Sequence, residues 1–110
     1  MGLVNHVTEM DINCYQDRGI CWETGLGCQA DIGPVAPASL LAEQAQFLRN
    51  IFDGLVQKPS LELVTFWGVR DSDSWLNFTP AERFNYPILF DREGAPKPCF
   101  NAITDPAFVI

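Results

Sequence analysis

Two short segments of the chain have the residue pattern of β-strands. Residues 61–67, LELVTFW, form the clearer one, with apolar side chains on both faces. A strand that is apolar on both faces is typical of a parallel sheet covered on both sides. Residues 3–11, LVNHVTEMD, are partly β-branched and predict the other strand. A two-residue period places four of its side chains on one face: Asn5, Val7, Glu9 and Asp11.

The spacing of apolar residues also predicts one long helix and one short helix. Ser39 is the expected N-cap of the long helix, which Lys58 and Pro59 bring to an end. A second helix is expected to begin near Pro98. The helical repeat of the long segment consists of five apolar side chains: Leu41, Ala45, Leu48, Phe52 and Leu55.

Each predicted strand is followed by a polar, glycine-containing segment. Residues 12–38 predict one long irregular loop, and residues 68–87 predict a second. The order is therefore strand, loop, helix, repeated twice, which is the order of (β/α) units in an α/β protein. Because (β/α) barrels hold their active sites in the loops after the strands, both loops are candidate site segments. Such a barrel needs eight units and typically about 250 residues, so two units predict part of one.

Composition limits the class of protein. The chain has 110 residues, enough for one small domain or part of a larger one, and its hydrophobic content of 47% argues against disorder. A formal net charge of −7 disfavours nucleic acid as a partner, because phosphate binding needs the opposite sign. No run approaches the roughly 18 apolar residues of a membrane span, and no signal peptide is recognisable. Neither nucleic acid nor membrane is an expected partner.

Three of the four cysteines recur every seventh residue, which favours an oxidising compartment. One disulfide within the first loop is expected, with its pairing undetermined. Zinc is disfavoured because six residues separate the successive cysteines of this series, whereas about two to four residues separate the paired cysteine ligands of structural zinc sites. No metal and no cofactor are expected. The cysteines are Cys14, Cys21, Cys28 and Cys99.

Carboxylates and tryptophans lie at the predicted strand ends. Glu9 and Asp11 end the first strand, Trp67 ends the second, and Trp75 follows in the next loop. Indole rings stack on the C–H faces of pyranoses, and carboxylates supply the proton and nucleophile chemistry of glycoside hydrolysis. The residue types therefore predict carbohydrate hydrolysis.

Four blocks of the sequence together resemble one enzyme family. Their order is that of the C-terminal third of glycoside hydrolase family 10, the retaining endo-1,4-β-xylanases. The four blocks are GLVNHVTEMDI, EQAQFLRNIF, LVTFWGVRDSDSWL and ILFDREGAPKPCFNAI. The part of the resemblance that is specific to this family is TFWG-x-x-D-x-x-SW followed by LFD and KP-x-F. The resemblance implies that residues 1–110 are a C-terminal fragment of the catalytic domain. The implied fold is α/β: a partial (β/α)8 TIM barrel containing strands seven and eight with their helices.

The resemblance also implies residue roles. Glu9 is the implied nucleophile at the end of strand seven, and Trp67 and Trp75 border the glycone subsites. Asp11 matches the family's aspartate that helps to hold a strand-six histidine against the nucleophile. The acid/base glutamate follows an asparagine on strand four, and this chain contains no Asn-Glu pair. The implied substrate is xylan or a related β-1,4-linked polysaccharide, the parent is extracellular, and activity needs the missing N-terminal strands.

Other interpretations of these residues stay open at this stage. From composition alone, Glu9 is interpretable as a solvated carboxylate and the two tryptophans as core aromatics, whereas the flanking blocks favour the nucleophile and sugar-stacking roles. Trp22 either reaches an outer subsite or packs within its loop, and packing within the loop is the expectation. His6 lies on the opposite strand face from Glu9, so a position in the core or against a helix is expected. Asp71 and Asp73 are expected to form hydrogen bonds in their loop rather than to bind calcium.

Three alternative functions accompany the xylanase hypothesis. One is another retaining β-glycanase with the same barrel end. The second is a non-catalytic carbohydrate-binding remnant, and the third is a small secreted domain stabilised by disulfides. As an isolated polypeptide, the chain is expected to be inactive and only marginally folded.

Overall fold

A computed structural model describes residues 2–110 of the chain. Its regular elements are two strands and three helices, with two single 3-10 turns in the loop that follows the second strand. In chain order they are β1 (Asn5–Met10), α1 (Ile20–Thr24), α2 (Ala38–Leu55), β2 (Leu61–Phe66), the 3-10 turns Asp71–Asp73 and Trp75–Asn77, and α3 (Pro98–Thr104). None of the described helices is long and apolar enough to cross a membrane.

The two strands pair in parallel, as the sequence predicts. Asn5 lies opposite Leu61 at one end of the pair, and Met10 lies opposite Phe66 at the other. β1 is shorter than the predicted strand 3–11 at both ends, and β2 is one residue shorter than the predicted strand 61–67 at its carboxyl end. Helix α2 connects β1 to β2, which is the crossover that a parallel pair requires.

The hydrophobic core lies between the sheet and two helices. Ala45 and Leu48 of α2 meet Cys99 and Ala102 of α3, and all four are buried. Met10 and Phe66 pack against this cluster from the strands. Cys99 therefore fills a core position, which agrees with its small, apolar character.

The expectation that both faces of β2 are covered is wrong for the described chain. Val64 and Phe66 are partly buried, whereas Leu63 on the other face is 51% exposed. The alternation of β2 places Leu63 away from the helices, and no described element covers that face. His6 is also exposed rather than in the core, and its Nε2 lies 3.8 Å from Glu62 of the neighbouring strand.

Two local expectations also differ from the structure. Ser39 does not cap the long helix: Pro37 is the N-cap residue, α2 begins at Ala38, and no side chain caps it. Pro37 has a φ of −59°, which leads directly into a helix without a side-chain acceptor. Residues 12–38 are not wholly irregular, because α1 forms between Gly19 and Gly25. Gly25 ends α1 in the left-handed conformation that favours glycine.

Candidate active site

Glu9 and Trp67 lie at the neighbouring ends of the two strands. The backbone N–H of Trp67 donates to the carbonyl of Met10 at 2.9 Å, which joins the strand ends. Met10 and Phe66 both pack toward the core, so strand alternation directs Glu9 and Trp67 to the opposite face. Both side chains are exposed there. The core interpretation of Trp67 therefore does not fit, since half of its surface is open.

Asp11 and Trp75 are joined by a direct hydrogen bond. The indole Nε1 of Trp75 donates to Oδ2 of Asp11 at 2.8 Å. The two residues are 64 positions apart in the sequence, one after β1 and the other in the loop after β2. A carboxylate acceptor makes this a charge-assisted bond, which fixes the orientation of the indole ring. Asp11 thus positions Trp75, a contact that the sequence does not reveal.

An open cleft separates the two tryptophans at this end of the sheet. It has a volume of about 400 Å³ and is lined by Trp67, Gly68, Asp73, Ser74, Trp75 and Phe78. Trp75 is 45% exposed, so both indoles present aromatic surface to the cleft. An aromatic cleft with polar groups at its edge suits a sugar, whose rings have apolar faces and hydroxyl edges.

A buried ion pair holds the loop that carries Trp75. Lys97 Nζ donates to Oδ1 of Asp71 at 3.1 Å and to the carbonyls of Tyr86 and Ile88, each at 2.7 Å. The backbone N–H of Ile88 also donates to Asp71. Burial raises the pKa of Asp71, and the Lys97 ammonium opposes that rise. Asp71 therefore forms the hydrogen bonds within its loop that the sequence predicts, and it does so as a buried side chain.

Asp73 has a different, surface role in the same loop. Its Oδ2 accepts from the backbone N–H of Arg70 at 3.0 Å, and its carboxylate pairs with the Arg70 guanidinium. The Arg70 backbone bond, followed by the Arg70 side-chain bond, lowers the pKa of Asp73. The carboxylate is therefore occupied in closing the turn that leads toward Trp75.

The loop after β1 brings a third tryptophan to the site. The ring of Trp22 in α1 lies 6.3 Å from the ring of Trp75, centroid to centroid, at an interplanar angle of 52°. A disulfide between Cys21 and Cys28 closes the loop, and Cys14 and Cys99 are free. This pairing resolves what the spacing left undetermined. Trp22 contacts its own loop, as expected, and it also contacts Trp75 in the loop after β2.

Asp17 connects this loop to the loop after β2. Its Oδ2 accepts from Arg83 Nη1 at 2.7 Å, and both side chains are almost fully buried. Arg83 also stacks over the ring of Tyr15, with its guanidinium carbon 3.8 Å from the ring centroid. Burial tends to raise the pKa of Asp17, but hydrogen bonds from the Gln29 N–H and Arg83 outweigh it and lower the pKa. Sequence analysis missed Asp17 and Arg83, whose only signal is their charge within loops.

Asp17 also forms, with the two bonded cysteines, a cluster of metal-ligand type. One potential ligand atom from each of Asp17, Cys21 and Cys28 lies within 4.8 Å of the others. The two sulfur atoms are bonded to each other, so neither is available as a thiolate ligand. The cluster is a disulfide beside a carboxylate that Arg83 neutralises.

Comparison with known proteins gives a consistent result. The sequence model of glycosyl hydrolase family 10 matches residues 1–106. A thermostable celloxylanase from Thermoclostridium stercorarium is 40% identical over 108 residues, which are 97% of this chain and 26% of that protein. The chain thus spans about a quarter of the length of this curated relative.

Two solved structures extend the comparison to the fold. The crystal structure of xylanase B from Clostridium stercorarium F9 superposes with a TM-score of 0.80 at 40% identity, over 96% of this chain and 29% of that chain. A mutant solved in complex with xylotriose superposes with a TM-score of 0.77 at 26% identity, over 94% of this chain and 30% of that chain. These neighbours imply that the two parallel strands belong to a TIM barrel. The family match over nearly the whole chain agrees with them, and the chain belongs to glycosyl hydrolase family 10.

Proposed function

We propose that this chain is the nucleophile-bearing part of a retaining endo-1,4-β-xylanase. The observation that carries the proposal is the hydrogen bond between Asp11 and Trp75. It joins the segment that contains Glu9 to the loop that contributes an aromatic wall to the cleft. A carboxylate thus lies on the strand next to an aromatic cleft, in a chain of a xylan-degrading family.

The proposed chemistry is double displacement. Glu9 attacks the anomeric carbon of a xylose unit through an oxocarbenium-like transition state, and the glycosidic bond to the leaving sugar breaks. A second carboxyl group protonates that leaving oxygen and then deprotonates the water that hydrolyses the glycosyl-enzyme. Retention requires the two carboxyl groups to lie about 5 to 5.5 Å apart. The resemblance assigns this acid/base to a glutamate on strand four, outside this chain.

The same proposal places β1 and β2 as strands seven and eight of the barrel. In this position the exposed face of β2, with Leu63 and Trp67, points into the barrel. The order from β1 through α2 to β2 and α3 agrees with two consecutive (β/α) units. Residues 1–110 then form the C-terminal part of the catalytic domain, and cleavage needs the strands that precede them.

Xylan is the proposed substrate because the site suits a pyranose chain and the relatives are xylanases. Trp67 and Trp75 provide stacking surfaces on the two sides of the cleft. The Cys21–Cys28 disulfide favours an oxidising compartment, so we place the parent protein outside the cell.

The test uses an assembled barrel, in which this chain replaces the matched segment of the Thermoclostridium stercorarium relative. Glu9→Gln in this barrel should lower kcat on xylan by a factor on the order of 10⁴, because the amide cannot act as the nucleophile. Glu62→Gln is the matched control, since Glu62 is an exposed carboxylate on the neighbouring strand. Its activity should stay within twofold of the unsubstituted barrel, roughly the scatter of such assays.

Two results would contradict the proposal. Near-normal cleavage by the Glu9→Gln barrel would exclude Glu9 as the nucleophile. An unsubstituted barrel that binds xylan without cleaving it would favour a non-catalytic carbohydrate-binding function instead.

A further inference from the structure

Trp22 lies outside the cleft between Trp67 and Trp75 but beside it. It is 40% exposed, and its ring packs against Trp75, which is 45% exposed. The two indoles therefore present adjoining aromatic surface to solvent. Packing within the loop covers only part of this side chain, which leaves the rest of its large apolar surface open to a ligand.

The position of Trp22 is fixed by polar contacts as well as by packing. Its indole Nε1 donates to the backbone carbonyl of Asp17 at 3.0 Å. Since this donor is satisfied within the loop, the ring face, not the N–H, is what remains for a ligand. An aromatic face recognises the apolar face of a sugar ring.

The loop itself is fastened on both sides of Trp22. Cys21, the preceding residue, is buried and bonded to Cys28. Gln29 follows Cys28, and its N–H donates to Asp17 at 2.6 Å. Arg83 anchors the same carboxylate from the loop after β2. The loop that carries Trp22 is thus closed on itself by a disulfide and tied to the loop that carries Trp75 by a buried ion pair.

We propose that Trp22 is a further sugar-binding residue, which extends the aromatic surface beyond Trp75 for longer β-1,4-linked xylose chains. The Cys21–Cys28 disulfide keeps it in place, so the preference for long substrates depends on the oxidised loop. This inference rests on the proposed function of the cleft. Trp22 acts on binding of distal sugar units and takes no part in bond cleavage.

The experiment compares two substrates, xylotriose and xylohexaose, in the assembled barrel. Trp22→Ala should lower kcat/KM for xylohexaose by about five- to tenfold, the loss expected for one aromatic stacking contact. It should leave kcat/KM for xylotriose unchanged, because we expect the short substrate to be held by Trp67 and Trp75 without reaching Trp22. Trp22→Phe should recover most of the loss. Phe47→Ala is the matched control, since Phe47 is an exposed aromatic residue on α2.

Loss of the disulfide should reproduce this selective effect. The double variant Cys21→Ser, Cys28→Ser should lose activity on xylohexaose and retain activity on xylotriose. Adding Trp22→Ala to that variant should cause little further loss. An equal loss on both substrates in the Trp22→Ala barrel, or none on either, would overturn the inference.

Failure of the proposed function has a different signature. If the unsubstituted barrel cleaves neither oligosaccharide, the xylanase proposal fails, and calorimetric binding of xylohexaose decides the inference. Affinity that drops five- to tenfold in the Trp22→Ala barrel supports the role of Trp22. Equal affinity of the two proteins overturns it.

Discussion

At the scale of single residues, burial distinguishes the charged residues that support the structure from the residues that are available to a substrate. Asp71 and Lys97 belong to two of the sequence blocks that resemble the family, yet both are buried in a structural pair. Trp67, from the same block as Asp71, and Glu9, from the first block, are exposed. The exposed side chains of these blocks are the ones free to meet a substrate, whereas the buried ones support the loop that carries Trp75.

This assignment makes the Asp71–Lys97 pair a stability determinant. Lys97→Met should lower the free energy of unfolding of the assembled barrel by about 3–5 kcal/mol, because it leaves a buried carboxylate without its counter-charge. Arg70→Met removes the exposed partner of Asp73 and should lower the free energy of unfolding far less, because solvent screens that pair. Urea denaturation followed by tryptophan fluorescence measures both, and equal losses in the two variants would contradict the assignment.

The sequence predicts where single residues lie along the strands, but it does not predict which distant side chains contact each other. The strand pattern places Glu9 and Trp67 at strand ends, because alternation and turn residues are local signals. The bond between Asp11 and Trp75 spans 64 positions, and the Asp17–Arg83 pair spans 66. No local pattern encodes which distant side chains meet, so both contacts become visible only in the folded chain.

At the scale of elements, the first loop depends on the ionised form of Asp17. Its pKa is lowered in the folded chain, so the stability it contributes is present above the unfolded value of about 3.9 and is lost as pH falls through the folded value. We expect the fluorescence of Trp22 in the assembled barrel to change only below about pH 4. Asp17→Asn should abolish this change.

A matched control assigns the fluorescence signal to the correct ring. The transition should disappear in Trp22→Phe, which removes the reporter and keeps an aromatic side chain. A transition centred well above pH 4, or one that survives in Asp17→Asn, would show that another group controls the loop.

The elements themselves follow closely from the hydrophobic pattern. The long helix, both strands and the helix at Pro98 were predictable because their apolar periods are distinct. The cap prediction for Ser39 is wrong because Pro37 already occupies the N-cap position. The short helix α1 escaped prediction because five residues between two glycines carry too little periodicity.

At the scale of the whole molecule, the described sheet has two strands and open apolar surface. Leu63 and Val69 are exposed on and after β2, and Leu3 and Val4 are exposed before β1. Unpaired strand edges and exposed apolar surface favour association. We expect the isolated chain to elute as dimers or larger species in size-exclusion chromatography and to cleave no xylan. A monomer that unfolds cooperatively would contradict this.

The central claim is that Glu9 is the nucleophile of a retaining xylanase, and covalent trapping tests it most directly. A xylobioside with fluorine at the 2-position and a good leaving group slows breakdown of the glycosyl-enzyme, because fluorine destabilises the oxocarbenium-like transition state. The assembled barrel should accumulate one such adduct, and peptide mass spectrometry should locate it on Glu9. An adduct on another carboxylate, or inversion at the anomeric carbon without any adduct, would contradict the claim.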